Sequence, residues 1–296
     1  MKYLSVTETA KKWNLSERSV RNYCALGKIS GAFLTGKTWN IPEDAQKPDR
    51  ANKKAILPTT LLEVLSAEKR AKLSGGIYHK VQIELTYNSN HIEGSRLTHD
   101  QTRYIFETNT IGIDGGTVKV DDIVETANHF KCIDLIIENA KKPITENFIK
   151  ELHRILKNGT TDARQDWFAV GDYKRLPNTV GDMYTTKPED VAEKMKELLF
   201  EYNIKQEKTF DDLLDFHYRF ECVHPFQDGN GRIGRLLLFK ECLKYNIVPF
   251  IIDGELKLFY YRGLKEWKSE RGYLRDTCLA AQDKFKLYLD YFKIKY

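Results

Sequence analysis

A twelve-residue stretch, residues 224–235, concentrates side chains that together can bind a charged ligand and move a proton. His224 titrates near neutral pH and can serve as a general base. Asp228 is a hard oxygen ligand, suited to a Mg²⁺ ion carried by a polyphosphate. Gly229 and Gly231 let the backbone come close to an anion and present consecutive N–H groups to it.

The flanking pattern predicts that this stretch connects two helices. One apolar helix is expected to end near Val223, and a second to begin just after Gly231. The start of the second helix adds positive potential. Arg232 and Arg235 are spaced i, i+3, so both can lean toward the same anion, and Phe226 is expected to turn inward. Together these features predict a nucleotide-triphosphate site with a general base beside it.

The stretch matches H-P-F-x-D-G-N-G-R-x-x-R, the signature of the Fic family, at every defining position. The chain also resembles this family at Leu152-His153, at Gly171-x-Tyr173 and at His217. The resemblance covers residues of about 55–290. It implies a mainly α Fic helical fold and a nucleotidyltransferase that moves AMP from ATP to a Ser, Thr or Tyr hydroxyl of a protein, the enzyme itself included.

The resemblance also implies a role for each position of the signature. His224 would take the proton of the attacking hydroxyl, and Asp228 would hold the Mg²⁺ that bridges the α- and β-phosphates. A β-hairpin flap at about 171–186 would clamp the target segment as an added strand. The ATP-binding residues implied are Gly229, Asn230, Gly231, Arg232 and Arg235.

A second motif lies upstream, at the end of a helix predicted over 76–94. Ser89 and Glu93 share one helix face, and Gly94 is a natural stop. The segment resembles S-x-x-x-E-G, the inhibitory motif of the self-inhibited Fic subclass. Glu93 would then pair with Arg235 and compete with the γ-phosphate. The same carboxylate could instead orient a water for removal of AMP, and the sequence leaves both roles open.

The excess positive charge of the chain lies near its start. Residues 1–54 hold eleven basic and five acidic residues, whereas the remainder holds 36 basic and 37 acidic residues. Two parts with such different electrostatics suggest different partners, and a basic module suggests nucleic acid.

The first 46 residues are predicted to form a small winged helix-turn-helix. Ser5 and Glu8 form a capping box, a second helix runs from Ser16 to about residue 26, and Gly27 ends it. A hairpin follows over 29–41, and residues 47–56 are a polar linker. The segment resembles excisionase-like DNA-binding modules; the alternative is a docking or dimerisation module. The candidate DNA-contacting residues are Arg18, Arg21 and Asn22.

Residues 57–296 are predicted to form a helical bundle with one hairpin at 165–186 and a loop at 108–119. The apolar stretches at 236–239 and 247–252 are too short to span a bilayer. Five scattered cysteines and the absence of a secretory signal favour a cytoplasmic location. The expected helical segments are 58–72, 76–93, 98–108, 121–138, 145–157, 187–203, 210–222, 231–245 and 256–292.

Other functions stay open at this stage. A transcription regulator that only senses nucleotide would have no need of His224. Relatives with a similar loop can transfer UMP, phosphocholine or phosphate, although two arginines favour a triphosphate such as ATP. The sequence does not identify the target protein, and it leaves open whether the chain forms a homodimer.

Overall fold

The computed structural model describes residues 2–48, 60–113, 116–180 and 183–296. The chain forms two compact units, residues 1–57 and 58–296. The predicted linker at 47–56 lies mostly outside the described residues. Among those residues, no helix combines the length and the apolar character needed to cross a membrane.

The first unit combines two short helices with a three-stranded antiparallel sheet. Its elements are β1 (Tyr3–Leu4), α1 (Val6–Trp13), α2 (Glu17–Ala25), β2 (Phe33–Thr35) and β3 (Thr38–Pro42). The strands are ordered β1-β3-β2. The predicted hairpin corresponds to β2 and β3, whereas β1 was not expected, because two residues carry no readable alternation.

Local capping fixes the helix boundaries of this unit. The hydroxyl of Ser5 accepts from the Glu8 N–H at 3.2 Å, and the Glu8 carboxylate accepts from the Ser5 N–H at 2.8 Å. This confirms the predicted capping box. The Ser16 hydroxyl caps α2 by accepting from the Ser19 N–H at 3.2 Å, and Gly27 adopts a φ of +63° just after the helix. The buried core of the unit consists of Val6, Ala10, Trp13, Val20, Cys24, Ile29 and Ile41.

The second unit is mainly helical and carries one small hairpin. The hairpin consists of β4 (Thr179–Val180) and β5 (Met183–Tyr184), and it is called the flap hairpin below. The helices are α3 (Leu61–Ala71), α4 (Ile77–Ile92), α5 (His99–Thr108), α6 (Val120–Glu138), α7 (Glu146–Lys157), α8 (Val191–Ile204), α9 (Phe210–Val223), α10 (Asn230–Lys244), α11 (Lys257–Glu266) and α12 (Gly272–Tyr291).

Two predicted boundaries in this unit were wrong. The apolar periodicity over 256–292 belongs to two helices, α11 and α12, which pack so closely that a Cβ on Gly263 would lie 2.5 Å from the Leu274 Cα. The hairpin expected over 165–186 pairs only Thr179 with Tyr184 and Val180 with Met183. The preceding segment forms no strand, because it bonds to a neighbouring loop instead; the Leu176 N–H, for example, donates to the Gln227 Oε1.

Helix α10 runs through the core and positions the site. Nearly all of its residues are buried, and it packs against α4, α6 and α9. Most of its ionisable residues are buried as well, and the Lys240 ammonium, for example, donates to the Ala140 and Lys142 carbonyls and to Glu241. A helix held this firmly presents its N-terminus at a fixed place.

Candidate active site at the start of helix α10

The loop between α9 and α10, residues 224–229, is called the signature loop below. His224 ends α9 in a left-handed conformation with φ +49°, and its N–H donates to the Phe220 carbonyl at 2.9 Å. Phe226 is fully buried, as predicted, and its ring stacks on His153 with centroids 4.0 Å apart. These contacts fix the direction in which His224 leaves its helix.

The Asn230 side chain holds the loop rather than facing a ligand. Its Oδ1 accepts from the Phe226 N–H and its Nδ2 donates to the Phe226 carbonyl, each at 2.8 Å. As the first residue of α10, Asn230 still has a backbone N–H without an intrahelical acceptor. Of this residue, the backbone alone is therefore suited to bind an anion.

The N-terminus of α10 has features suited to an anion. Gly229 precedes the helix with φ +84°, and no side chain caps the first turn. A Cβ at Gly229 would lie 3.3 Å from the Leu156 Cδ2, so the position favours glycine on both conformational and steric grounds. The uncapped amides and the helix dipole together form an anion-binding site.

His224 is held in the form that a base requires. Its side chain is 17% exposed, and its Nδ1 lies 3.9 Å from the Glu221 Oε2. Burial, assisted by the nearby Lys174 ammonium, lowers the pKa of His224 to about 4. The imidazole is therefore neutral at physiological pH and able to accept a proton.

Asp228 belongs to a closed ring of ion pairs, called the ion-pair ring below. Its Oδ2 accepts from the Lys157 ammonium at 2.7 Å and from the Arg232 guanidinium at 3.1 Å. Both cations also pair with Glu125 of α6, and Lys157 has a further partner in Asp162 at 2.9 Å. Burial opposes ionisation of Asp228, but the two cations outweigh it and hold its pKa below the usual range.

Asp228 fits the role of a magnesium ligand. Its side chain is 48% exposed and precedes the uncapped amides of α10. Within the described residues, no cluster of three or more His, Cys, Asp or Glu side chains is arranged to hold a metal alone. Mg²⁺ that arrives on a polyphosphate needs only one or two protein carboxylates, so a single exposed carboxylate beside an anion site suffices.

Arg235 is engaged by the upstream motif. Its Nε donates to the Ser89 Oγ at 3.0 Å, and its Nη2 donates to the Ser89 carbonyl at 2.9 Å and to the Glu93 Oε1 at 2.7 Å. Arg235 is only 6% exposed. Glu93 lies just beyond α4, where Gly94 with φ +95° turns the chain away. The ion pair expected between Glu93 and Arg235 is therefore present.

The two signature arginines pair with different carboxylates in this structure, and the prediction from their spacing that both bind one anion stays a prediction. Arg232 pairs with Glu125 and Asp228, whereas Arg235 pairs with Glu93. The difference arises because the acidic partners come from α6 and from the end of α4, which sequence spacing within α10 does not reveal.

Several residues of the site were not identified from the sequence. Glu221 lies one helical turn before His224, and Lys157 lies one turn after His153. Helical spacing from these two histidines could therefore have identified both residues. Glu125 carried no local signal. The residues concerned are Glu125, Lys157, Lys174 and Glu221.

Glu221 makes the stability of the unit depend on pH. Burial raises its pKa to about 8 from 4.5, although Arg235 opposes the shift. Between these values the folded chain binds one proton more than the unfolded chain, so the contribution to stability is complete at low pH and is lost as pH rises. In the native chain, the free energy of unfolding should fall by about 1 kcal/mol per pH unit at most as pH rises. We expect Glu221→Gln to abolish this fall.

Urea unfolding at pH 6 and pH 8 measures this effect. From pH 6 to pH 8, the free energy of unfolding of Glu221→Gln should rise relative to that of the native chain. Glu138→Gln, at a surface carboxylate bonded to Lys69, should follow the native chain. Parallel curves for the native chain and Glu221→Gln would contradict the assignment.

The candidate DNA-contacting residues lie in the first unit. Arg18, Arg21 and Asn22 are all exposed on α2, away from its buried residues Val20 and Cys24. Arg21 also approaches Glu17 at 3.5 Å. The three side chains are thus accessible to a partner.

The fold and the site define a mainly helical domain with an uncapped, anion-binding helix start beside a neutral imidazole. Residues 143–241 match the sequence model of the Fic/DOC family, so the chain contains a Fic/DOC domain. Among curated proteins, the protein adenylyltransferase Fic of Aedes aegypti is 28% identical over 222 residues, which are 74% of this chain and 42% of that protein. Its Drosophila willistoni counterpart is 32% identical over 218 residues, or 72% and 41%.

Solved structures agree with this assignment. A Fic domain containing signaling protein from Bacteroides thetaiotaomicron is 28% identical with a TM-score of 0.58, and the match covers 78% of this chain and 90% of that chain. Fic-1 from Caenorhabditis elegans is 21% identical with a TM-score of 0.60, and the match covers 77% of this chain and 71% of that chain. At this identity, the match supports the fold and nothing further. The chain spans about two-fifths of the length of the curated relatives named above.

Proposed function

We propose that this protein is a protein adenylyltransferase that moves AMP from ATP to a Ser, Thr or Tyr hydroxyl of a protein. The observation that carries the proposal is the position of His224 on the loop that leads into the uncapped N-terminus of α10, and the burial that lowers the pKa of His224 supports it. A general base and an anion-binding helix start at one place are what attack on a phosphate requires.

In this reaction the target hydroxyl oxygen attacks the α-phosphorus of ATP. The bond from the α-phosphorus to the bridging oxygen breaks, pyrophosphate leaves, and the hydroxyl proton passes to His224. The amides at Gly229, Asn230 and Gly231 offset the charge that develops on the phosphate. Asp228 would hold Mg²⁺, which neutralises phosphate charge when bound.

The ion pair between Glu93 and Arg235 restrains the enzyme in this proposal. A charge-assisted, nearly buried Arg–carboxylate contact is strong enough to compete for Arg235. Ser89 adds two further acceptors for the same guanidinium. ATP would bind productively only after Glu93 leaves.

The flap hairpin is the proposed binding edge for the target. Two short strands, Thr179–Val180 and Met183–Tyr184, offer backbone groups to which an extended segment can add. Recognition through the backbone would explain why the enzyme sequence does not reveal its target. Free cysteines and ATP as donor fit the proposed cytoplasmic location.

Intact-mass spectrometry after incubation with Mg²⁺ and ATP tests the reaction. We expect a gain of one adenylyl group on the Glu93→Gly protein, suppressed by EDTA. Parallel incubations with UTP and CDP-choline identify a different donor. A gain from one of these and none from ATP would refute adenylyl transfer, and no gain from any donor would refute group transfer altogether.

We also propose that the first unit binds DNA. The exposed Arg18, Arg21 and Asn22 on α2 and the net positive charge of residues 1–54 favour it. In a gel shift at low salt, we expect the full chain to retard duplex DNA and a triple alanine variant at these positions to lose the shift. A negative result for the native chain at low salt would refute DNA binding.

A further inference from the structure

A buried lysine lies at the base of the flap hairpin. Lys174 is only 3% exposed. Its ammonium donates to the Asn178 Oδ1 at 2.7 Å and to the Thr185 Oγ1 at 2.6 Å. Both acceptors are neutral, and burial of a charge that is bonded to neutral groups costs free energy.

The two acceptors stand on opposite sides of the flap hairpin. Asn178 directly precedes β4, and Thr185 directly follows β5. The Thr185 hydroxyl also contacts the Asn178 carbonyl at 3.0 Å. Lys174 therefore ties together the two chain segments from which the flap hairpin extends.

The same base is bonded to the signature loop. The Lys174 N–H donates to the Pro225 carbonyl at 2.9 Å, directly after His224. The Asn178 Nδ2 donates to the Phe226 carbonyl at 3.0 Å. One connected set of hydrogen bonds thus runs from the flap hairpin to the residue that follows His224.

We propose that Lys174 is a positioning residue that fixes the flap hairpin against the signature loop and so sets where a target hydroxyl meets His224. The inference rests on the proposed adenylyl transfer and deepens it. A target strand added to the flap hairpin is placed only as precisely as the hairpin itself, and small displacements of a reacting group reduce the rate severely.

Electrostatics support this role. Burial lowers the pKa of Lys174 to about 8, so the ammonium is mostly charged at neutral pH. The charged or titratable groups that act on His224 are Lys174, Glu221, Glu93 and Asp228. Among them Lys174 is the cation, and it favours the neutral imidazole.

The test compares Lys174→Met with Lys187→Met, both in the Glu93→Gly background. Lys187 is an exposed lysine just beyond the flap hairpin and serves as the matched control. We expect Lys174→Met to speed amide exchange at residues 174–180 about tenfold or more. Adenylyl transfer to a protein substrate should fall about tenfold while the Kd for ATP stays within about twofold. Lys187→Met should change none of these.

Two further measurements separate positioning from general destabilisation. The imidazole pKa of His224, followed by NMR, should rise by about half a unit in Lys174→Met. Lys174→Arg, which keeps the charge, should restore part of the exchange protection. If Lys174→Met does not fold, Lys174→Gln, which retains hydrogen-bond donors, takes its place.

The outcomes distinguish this inference from the proposed function. If the Glu93→Gly protein transfers no adenylyl group, the proposed function fails, while amide exchange and the His224 pKa still test Lys174. Unchanged amide exchange at residues 174–180 in Lys174→Met would overturn the inference even if the enzyme is active. A loss of ATP affinity that parallels the loss of transfer would also overturn it.

Discussion

Replacement of His224 by Ala is expected to reduce adenylyl transfer at least ~100-fold, since general base catalysis contributes roughly 10²- to 10⁴-fold. The imidazole is neutral at physiological pH and follows α9 at a fixed angle, so the base is available without prior deprotonation. Transfer should be measured with labelled ATP in the Glu93→Gly background, so that a low basal rate does not hide the loss.

The same variant should bind ATP with nearly unchanged affinity. In the proposed mechanism, backbone amides of α10 bind the phosphates, whereas the His224 side chain contributes only to the chemical step. His99→Ala serves as the control, because His99 pairs with Glu84 outside the site. Retention of transfer by His224→Ala would rule out the proposed base.

Replacement of Glu93 by Gly is expected to raise adenylyl transfer at least tenfold, which requires only ~1.4 kcal/mol of lost competition for Arg235. The contact at 2.7 Å would disappear, and the guanidinium would become available to the γ-phosphate. Initial rates with labelled ATP, compared between the two proteins, give the magnitude.

A graded series sharpens this comparison. Glu93→Gln keeps an acceptor for Arg235 but loses the charge, so its rate should lie between those of the native chain and Glu93→Gly. Glu138→Gly removes a carboxylate that pairs with Lys69 at the surface and should leave the rate unchanged. Equal transfer rates for the native chain, Glu93→Gln and Glu93→Gly would refute the restraint by Glu93. If the native chain removes AMP from a modified protein faster than Glu93→Gly does, the result would favour the alternative in which Glu93 orients a water.

Local signals in the sequence predicted much of the site. Helix ends, glycines and motif spacing act over a few residues, and they predicted the signature loop and the buried Phe226. The pairing of Glu93 with Arg235 was implied by the resemblance to the Fic inhibitory motif, and the structure contains that ion pair. The mainly helical Fic fold is likewise confirmed. The assigned chemical roles stay predictions, because they depend on a bound nucleotide.

What the sequence could not supply depends on packing between distant segments. Glu125 meets Arg232 only because α6 packs against α10, across more than a hundred residues. Nothing in the local sequence indicated that Lys174 is buried, since the Thr185 hydroxyl and the Pro225 carbonyl that it contacts come from segments further along the chain. The break between α11 and α12 was hidden by an apolar period that continues through the turn. DNA binding by the first unit also stays a prediction.

The ion-pair ring has a consequence for which ligands the site admits. Its two cations, Lys157 and Arg232, are already paired with carboxylates, and Lys157 also pairs with Asp162. In the proposed reaction, a nucleotide would therefore have to displace a carboxylate to reach the Arg232 guanidinium. Nucleotide binding would then require that Arg232 exchange a carboxylate partner for a phosphate. In the proposed function, a metal-bound triphosphate would bring both an anion for Arg232 and a cation for Asp228, whereas a nucleoside would bring neither. The ion-pair ring would then favour a metal-bound polyphosphate over an uncharged nucleoside.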